Sequence, residues 1–144
     1  DDASEVFLVK ENMGITIDMH SGKPTRKFGT RLTDTPLQLG YVSPYVVTLH
    51  QNFLEVHNPS INNGLCQTLQ LKGAERISSV LFSNMDTDAM KMDERQQDLL
   101  FVATADNSLY VLDFVPFYDQ IKQLYDDGQF DPALNLCKLV NKTE

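Results

Sequence analysis

Tyr45-Val46-Val47-Thr48-Leu49, then His50-Gln51-Asn52, then Phe53-Leu54-Glu55-Val56 is the stretch on which the reading of this chain turns. A strongly apolar run enters a short polar turn ending in Asn, and a second apolar run leaves it. The same shape occurs twice more. Upstream, Val6-Phe7-Leu8-Val9 passes through Glu11-Asn12 to Ile15-Thr16-Ile17-Asp18. Downstream, Leu99-Leu100-Phe101-Val102-Ala103 passes through Asp106-Asn107 to Leu109-Tyr110-Val111-Leu112. Asn suits each turn because it tolerates the left-handed backbone that tight hairpins require. The first run of each unit is apolar on both faces, as a strand buried on both sides would be. The second alternates more, with Thr16, Asp18 and Glu55 between apolar neighbours, which suits a strand further from the core.

Spacing turns three hairpins into a repeat. Asn12 to Asn52 is 40 residues, and Asn52 to Asn107 is 55. The longer gap holds a polar insertion without strand periodicity, residues 84–97 (NMDTDAMKMDERQQ); without those 14 residues it is 41. A period near 40 with a β-hairpin in each unit describes propeller blades of four strands. The remaining strands fit between the hairpins. Residues 36–42 and 76–82 read as inner strands of the second and third units. Residues 25–32 and 65–71 read as outer strands of the first and second. Ser21-Gly22, Ser43-Pro44, Asn58-Pro59, Asn62-Asn63-Gly64 and Lys72-Gly73 punctuate them. A meandering antiparallel sheet or sandwich would share much of this spacing.

After Phe114 the period changes. Pro116 suits the first turn of a helix, Ile121, Leu124 and Tyr125 recur at helical spacing, and Gly128 is a C-terminal stop. Asp131-Pro132 reads as a second helix start, followed by Ala133, Leu134, Cys137 and Val140. The chain therefore reads as mainly β: a partial β-propeller of about three blades over residues 1–114, then an α-helical hairpin over 115–144 that begins an α-solenoid.

Composition limits the function. The net charge is -8, which argues against a nucleic-acid binder, since phosphate binding needs clustered cations. Cys66 and Cys137, the two cysteines, are too few for a disulfide framework or a tetrahedral zinc site and read as free buried thiols. No apolar run approaches a membrane span, and the acidic start lacks a signal-peptide pattern. It also lacks an initiator Met, so the chain reads as a piece of a larger cytosolic scaffold. The Asn141-Lys142-Thr143 sequon is then accidental. No phosphate loop or nucleophile elbow is present, so no catalytic, cofactor or metal residue is assigned. His50 and His57 fall on the two strands of one hairpin with Glu55 and Asn58 close in sequence; hydrogen-bonded strand histidines are preferred to a metal site.

Two stretches are candidate contact surfaces. Residues 23–31 (KPTRKFGTR) carry Lys23, Arg26, Lys27 and Arg31 around Phe28, with no acid. They suit an acidic protein or an anionic lipid headgroup, or a solvated outer strand whose charges block edge pairing. The insertion carries Met85, Met90 and Met92, adaptable contacts for a segment that orders on a partner, or else a blade-to-blade loop.

Residues 106–112 (DNSLYVL), 115–124 (VPFYDQIKQL) and 129–137 (QFDPALNLC) resemble the end of a citron-homology domain entering a clathrin-type helical repeat. That arrangement is found in the HOPS and CORVET vacuolar-sorting tether subunits. The resemblance covers about 30 residues closely and the earlier hairpins loosely. It implies a non-catalytic scaffold in endosome, lysosome or vacuole trafficking, cytoplasmic and peripheral on those membranes. It also implies a small Rab-type GTPase and sister tether subunits as partners. Two other readings stand beside it: a peripheral phosphoinositide-binding module using Lys23 to Arg31, and a citron-homology domain of a Rho-pathway regulator. The helical hairpin speaks against the second of these.

Overall fold

The computed structural model describes residues 4–42, 44–60, 64–80 and 99–140. Among these residues ten strands are followed by two helices, and the strands form three antiparallel sheets. The chain divides into two compact units, residues 1–112 and 113–144.

Each of the three hairpins lies in its own sheet, at the centre of the second and with one strand at the edge of the first and third. In the first sheet β1 (Glu5–Lys10), β2 (Met13–Asp18) and β3 (Thr30–Arg31) lie in that order. The second has four strands in sequence order: β4 (Gln38–Val42), β5 (Tyr45–Leu49), β6 (Phe53–His57) and β7 (Leu65–Gln70). The third runs β8 (Ala74–Val80), β9 (Leu99–Thr104), β10 (Leu109–Leu112). The insertion at 84–97, with Met85, Met90 and Met92, falls outside the described residues.

The core follows from this order. Every residue of β5 is buried, as are Leu54, Glu55, Val56 and His57 of β6, the two central strands of the middle sheet. On one face Gly40 of β4 meets the third sheet. A Cβ at Gly40 would stand 2.5 Å from Leu100 Cδ1 and 3.2 Å from Ile77 Cδ1, so glycine is what permits this approach. The Tyr41 amide donates to Ser79 Oγ at 3.1 Å, and the Ile77 amide to the Gln38 side-chain carbonyl at 2.9 Å. Leu49, Leu54, Leu100, Val47 and Val102 are the apolar centre.

Three local expectations change. The outer strand of the first sheet is only Thr30–Arg31 and not 25–32. Pro24 makes one isolated bridge with Ile17, and the Thr25 amide donates to the Thr16 carbonyl, but Arg26 to Gly29 leave the ladder. A prolyl ring without an N–H, and Arg26 drawn aside by an acid, explain the break. In the turns, Asn107 is left-handed (φ 64°), yet in the first hairpin Glu11 takes that conformation (φ 56°) and not Asn12. In the middle hairpin no residue is left-handed, so Asn52 does not take the conformation expected of it. Cys66 is exposed rather than buried, on the outermost strand of the middle sheet; both cysteines are free.

In the second unit, α1 (Phe117–Asp126) and α2 (Phe130–Val140) form a hairpin. Pro116 is the N-cap of α1 and precedes its first turn. The Gly128 amide donates to the Tyr125 carbonyl and the Gln129 amide to the Leu124 carbonyl, with Gly128 at φ 73°. These are the two bonds of a Schellman stop, which needs a left-handed residue at this position. The second helix starts at Phe130, one residue before the expected Asp131 cap, and places Pro132 in its first turn.

Candidate functional site

The basic segment runs along the outer side of the first sheet. At its start, Asp18 organises the turn out of β2: its Oδ1 accepts from the His20 and Ser21 amides, and the Asp18 amide donates to the Lys23 carbonyl. The Ser21 hydrogen bond is the main reason the Asp18 carboxyl is held below its ordinary range. Lys23 projects from this turn and is exposed. Arg26 forms a bidentate pair with Glu5 at the start of β1, both N–H···O distances being 2.8 Å. Lys27 Nζ lies 5.4 Å from the centroid of the Phe28 ring, and that ring is 47% exposed. Arg31 is in β3, opposite Met13. The four cations are therefore not equivalent. Arg26 is committed within the fold, while Lys23, Lys27 and Arg31 are exposed. Glu5 is the neutralising residue the sequence did not flag: it is 21 positions from Arg26 and meets it through the β1–β2 register.

A second cluster lies in the middle sheet. Thr48, His50, Glu55 and His57 are all buried. Antiparallel register sets Thr48 opposite Glu55, and the pleat sends Glu55 and His57 to one face. His57 Nε2 is 3.1 Å and His50 Nε2 3.4 Å from Glu55 Oε2, and His50 Nε2 is 2.9 Å from Thr48 Oγ1. The Thr33 amide and hydroxyl also donate to the Glu55 carboxylate. Burial works to raise the Glu55 carboxyl, but the Thr33 bonds and then His57 outweigh it and hold it below 4.5. Burial pushes His57 below 6.5, against the opposing pull of Glu55.

With His57 neutral, its Nε2–H donates to Glu55 and its Nδ1 has no partner; the His50 Nδ1 is likewise buried and unpaired. Phe53 stacks on His50 at 4.5 Å. Among the described residues no group of three or more His, Cys, Asp or Glu side chains is arranged to hold a metal ion. The cluster instead ties β6 to Thr33, in the connector between the first and second sheets. Glu55 had read as a marker of a strand far from the core, and it is 1% exposed. The signal that could have found it is the spacing of Glu55 and His57, two residues apart and so on one face.

The helical hairpin presents an apolar groove of about 390 Å³ between α1 and α2. Tyr125 and Phe130 meet edge-to-face at 5.4 Å across the turn, and Ala133 is buried at the contact. Tyr118, Tyr125, Phe130 and Leu134 line the groove and remain more than half exposed. Among the described residues no helix is long and apolar enough to cross a membrane.

No protein-family model matches this chain, and no solved structure matches it. It is 28% identical over 142 residues to Vacuolar sorting protein 39 of Arabidopsis thaliana. Those residues are 99% of this chain and 12% of the plant protein, so the similarity runs through both units but spans about an eighth of the relative's length.

Proposed function

We propose that this chain is part of a non-catalytic tether subunit that works in vacuolar, lysosomal or endosomal sorting. In this reading its strand-rich unit is a section of a citron-homology-type β-propeller, and its helical hairpin is the first pair of a clathrin-type solenoid. The carrying observation is the similarity along nearly all of this chain to Vacuolar sorting protein 39, whose name gives it a part in vacuolar sorting. The repeat of Asn-turn hairpins, each in its own antiparallel sheet, supports the propeller assignment. The groove between α1 and α2 supports the solenoid, because an isolated helical pair leaves its apolar face without a neighbour.

The partners that follow are a Rab-type GTPase and sister subunits, with the protein cytoplasmic and peripheral on the membrane. The test is capture of endolysosomal Rab proteins by the polypeptide extended on both sides of residues 1–144. Capture of the GTP-loaded and not the GDP-loaded form is expected, and no nucleotide-dependent partner would overturn the assignment.

A second reading rests on the exposed Phe28 beside Lys27: a basic segment with an aromatic tip, docking on an anionic membrane. The Arg26–Glu5 pair counts against it by removing one of four cations. It requires salt-sensitive binding to phosphoinositide vesicles that is lost in Lys23→Glu/Lys27→Glu/Arg31→Glu.

A further inference from the structure

Glu55 is a buried carboxylate with no fixed cation beside it. It is 1% exposed, and among the described residues its ion-pair partners are His50 and His57, with no Lys or Arg. The charge of this cluster is therefore set by protons. From β5, Thr48 stands opposite Glu55 and Val46 opposite His57. From β7, Thr68 and Leu65 take the corresponding places. None of these four titrates, and Cys66 of β7 is exposed and bonded to the Gly64 carbonyl. The connector between the first and second sheets brings Thr33, whose amide donates to Glu55 Oε2 at 3.3 Å and whose hydroxyl donates to Oε1. Its neighbour Asp34 is exposed and turned back on the chain, its Oδ1 accepting from the Thr35 amide at 2.7 Å.

A proton entering this cluster meets a geometric obstacle. His57 Nε2 is 3.1 Å from Glu55 Oε2, the oxygen that also accepts from the Thr33 amide. In the neutral ring Nε2–H makes that bond and Nδ1 is bare. Among the described residues no protein group meets this Nδ1, and the atom is buried. An imidazolium carries an N–H on both nitrogens. Its second N–H would be a buried donor without an acceptor, which the closed cluster opposes. Glu55 is not the receiver, because the two Thr33 donors favour its charged form. His50 is coupled to the carboxylate less closely, its Nε2 lying 2.9 Å from Thr48 Oγ1 and 3.4 Å from Glu55.

The part of the surroundings that can yield is the connector. The Leu32 amide is anchored on the Asn12 carbonyl at 2.9 Å, and the Leu37 amide on the Leu49 carbonyl at 2.7 Å. Between these anchors Thr33, Asp34 and Thr35 are exposed and belong to no strand or helix. The described hydrogen bonds from this stretch to β6 are the two from Thr33 to Glu55. The β5–β6 and β6–β7 ladders are backbone pairings that side-chain protonation leaves in place. Lifting the connector admits water to the cluster, and water can accept the second N–H.

We propose that His57 and Glu55 form a proton-operated latch on residues 33–36: a proton taken up at His57 Nδ1 releases Thr33 from Glu55 while β5, β6 and β7 stay paired. Loss of the proton closes the latch again. The stretch joining the first sheet to the second then responds to acid while the sheets remain intact. The latch goes beyond the tether reading and does not rest on it.

The test is hydrogen exchange of the Thr33 amide in the full natural polypeptide, read by mass spectrometry and corrected for the pH dependence of intrinsic exchange. Between about pH 7.5 and about pH 5, exchange at Thr33 should accelerate about tenfold or more, with the amides of β5 and β6 unchanged. His57→Gln keeps a side-chain donor for Glu55 and takes up no proton, so it should abolish the acceleration. His50→Gln should preserve it. Thr33→Val, at an exposed position, removes the hydroxyl bond and should raise exchange already at the higher pH. That variant gives a reading even where His57→Gln fails to fold. No acceleration in the unmodified polypeptide would overturn the proposal, as would Thr33 exchange indifferent to Thr33→Val. Acceleration shared equally by β5 and β6 would overturn it too, by assigning the change to opening of the whole sheet. Acceleration that survives His57→Gln, or is lost in His50→Gln, would place the proton elsewhere and equally overturn it.

Discussion

The hairpin β5–β6 and the hairpin β9–β10 carry nearly the same sequence idea and live in different surroundings. Both first strands are apolar, both turns end in Asn, and an apolar run follows each turn. Yet Leu54 is fully buried and its counterpart Leu109 is 65% exposed. The difference is made by neighbours. The second strand β6 has β7 beside it and is buried through Leu54 to His57, whereas among the described residues β10 has only β9. Hydrophobic pattern sets which residues can be buried, and sheet position sets which are.

The sharpest way to break this comparison is to truncate both leucines. Leu54→Ala should cost about 2–5 kcal/mol in urea unfolding, because it leaves a cavity where nothing can collapse. Leu109→Ala in the 144-residue chain should cost under about 0.5 kcal/mol, as an exposed substitution does. Similar losses at the two sites would mean that the hairpins are equally enclosed.

Next is the polar cluster, which the third hairpin lacks. Glu55→Ala should cost about 1.5–3 kcal/mol, since it strips His57 and Thr33 of a buried charged acceptor. The same cluster predicts acid sensitivity. His57 has its pKa lowered in the fold, so below 6.5 the unfolded chain takes up a proton that the folded chain resists. Stability therefore falls as pH drops from 6.5 toward the folded value. Glu55, also lowered, stays ionised below 4.5 and adds a further loss as pH falls through its folded value. His57→Gln should flatten the slope just below pH 6.5 in urea titrations. A slope unchanged by that substitution would place the acid sensitivity elsewhere.

Gly40 tests the seam between the two sheets. Gly40→Ala should cost about 1–3 kcal/mol by overpacking, with Leu100 and Ile77 displaced. Restoration of stability by adding Leu100→Ala would confirm that contact. The smallest effect belongs to the first sheet. Arg26→Ala should change stability by about 1 kcal/mol or less, since the Glu5 pair is partly solvated. Its value lies in freeing Glu5: if residues 23–31 contact an anionic surface, Arg26→Ala should weaken binding less than Lys27→Ala does.

Much of this architecture could be read from residues alone, because hydrophobic period and turn chemistry are local. Three hairpins, the Gly128 stop and the two helices all rest on spacings within about a dozen residues. What escaped reading was set by distant partners. The strand expected over 25–32 shrinks to two residues because Arg26 is drawn to Glu5. Glu55 alternates like a solvent-facing residue but is captured by Thr33, 22 positions earlier. The exposure of Leu109 was hidden for a related reason: its sequence resembles that of Leu54, and the neighbours that differ lie elsewhere in the chain.

Whether neighbours rather than sequence pattern decide the fate of each hairpin can be measured at two equivalent amides. In the 144-residue chain, hydrogen exchange of the Val56 amide, paired to β7, should require an opening free energy close to that of the whole strand-rich unit. The Val111 amide should exchange with an opening free energy near zero. Equal protection at Val56 and Val111 would contradict the account.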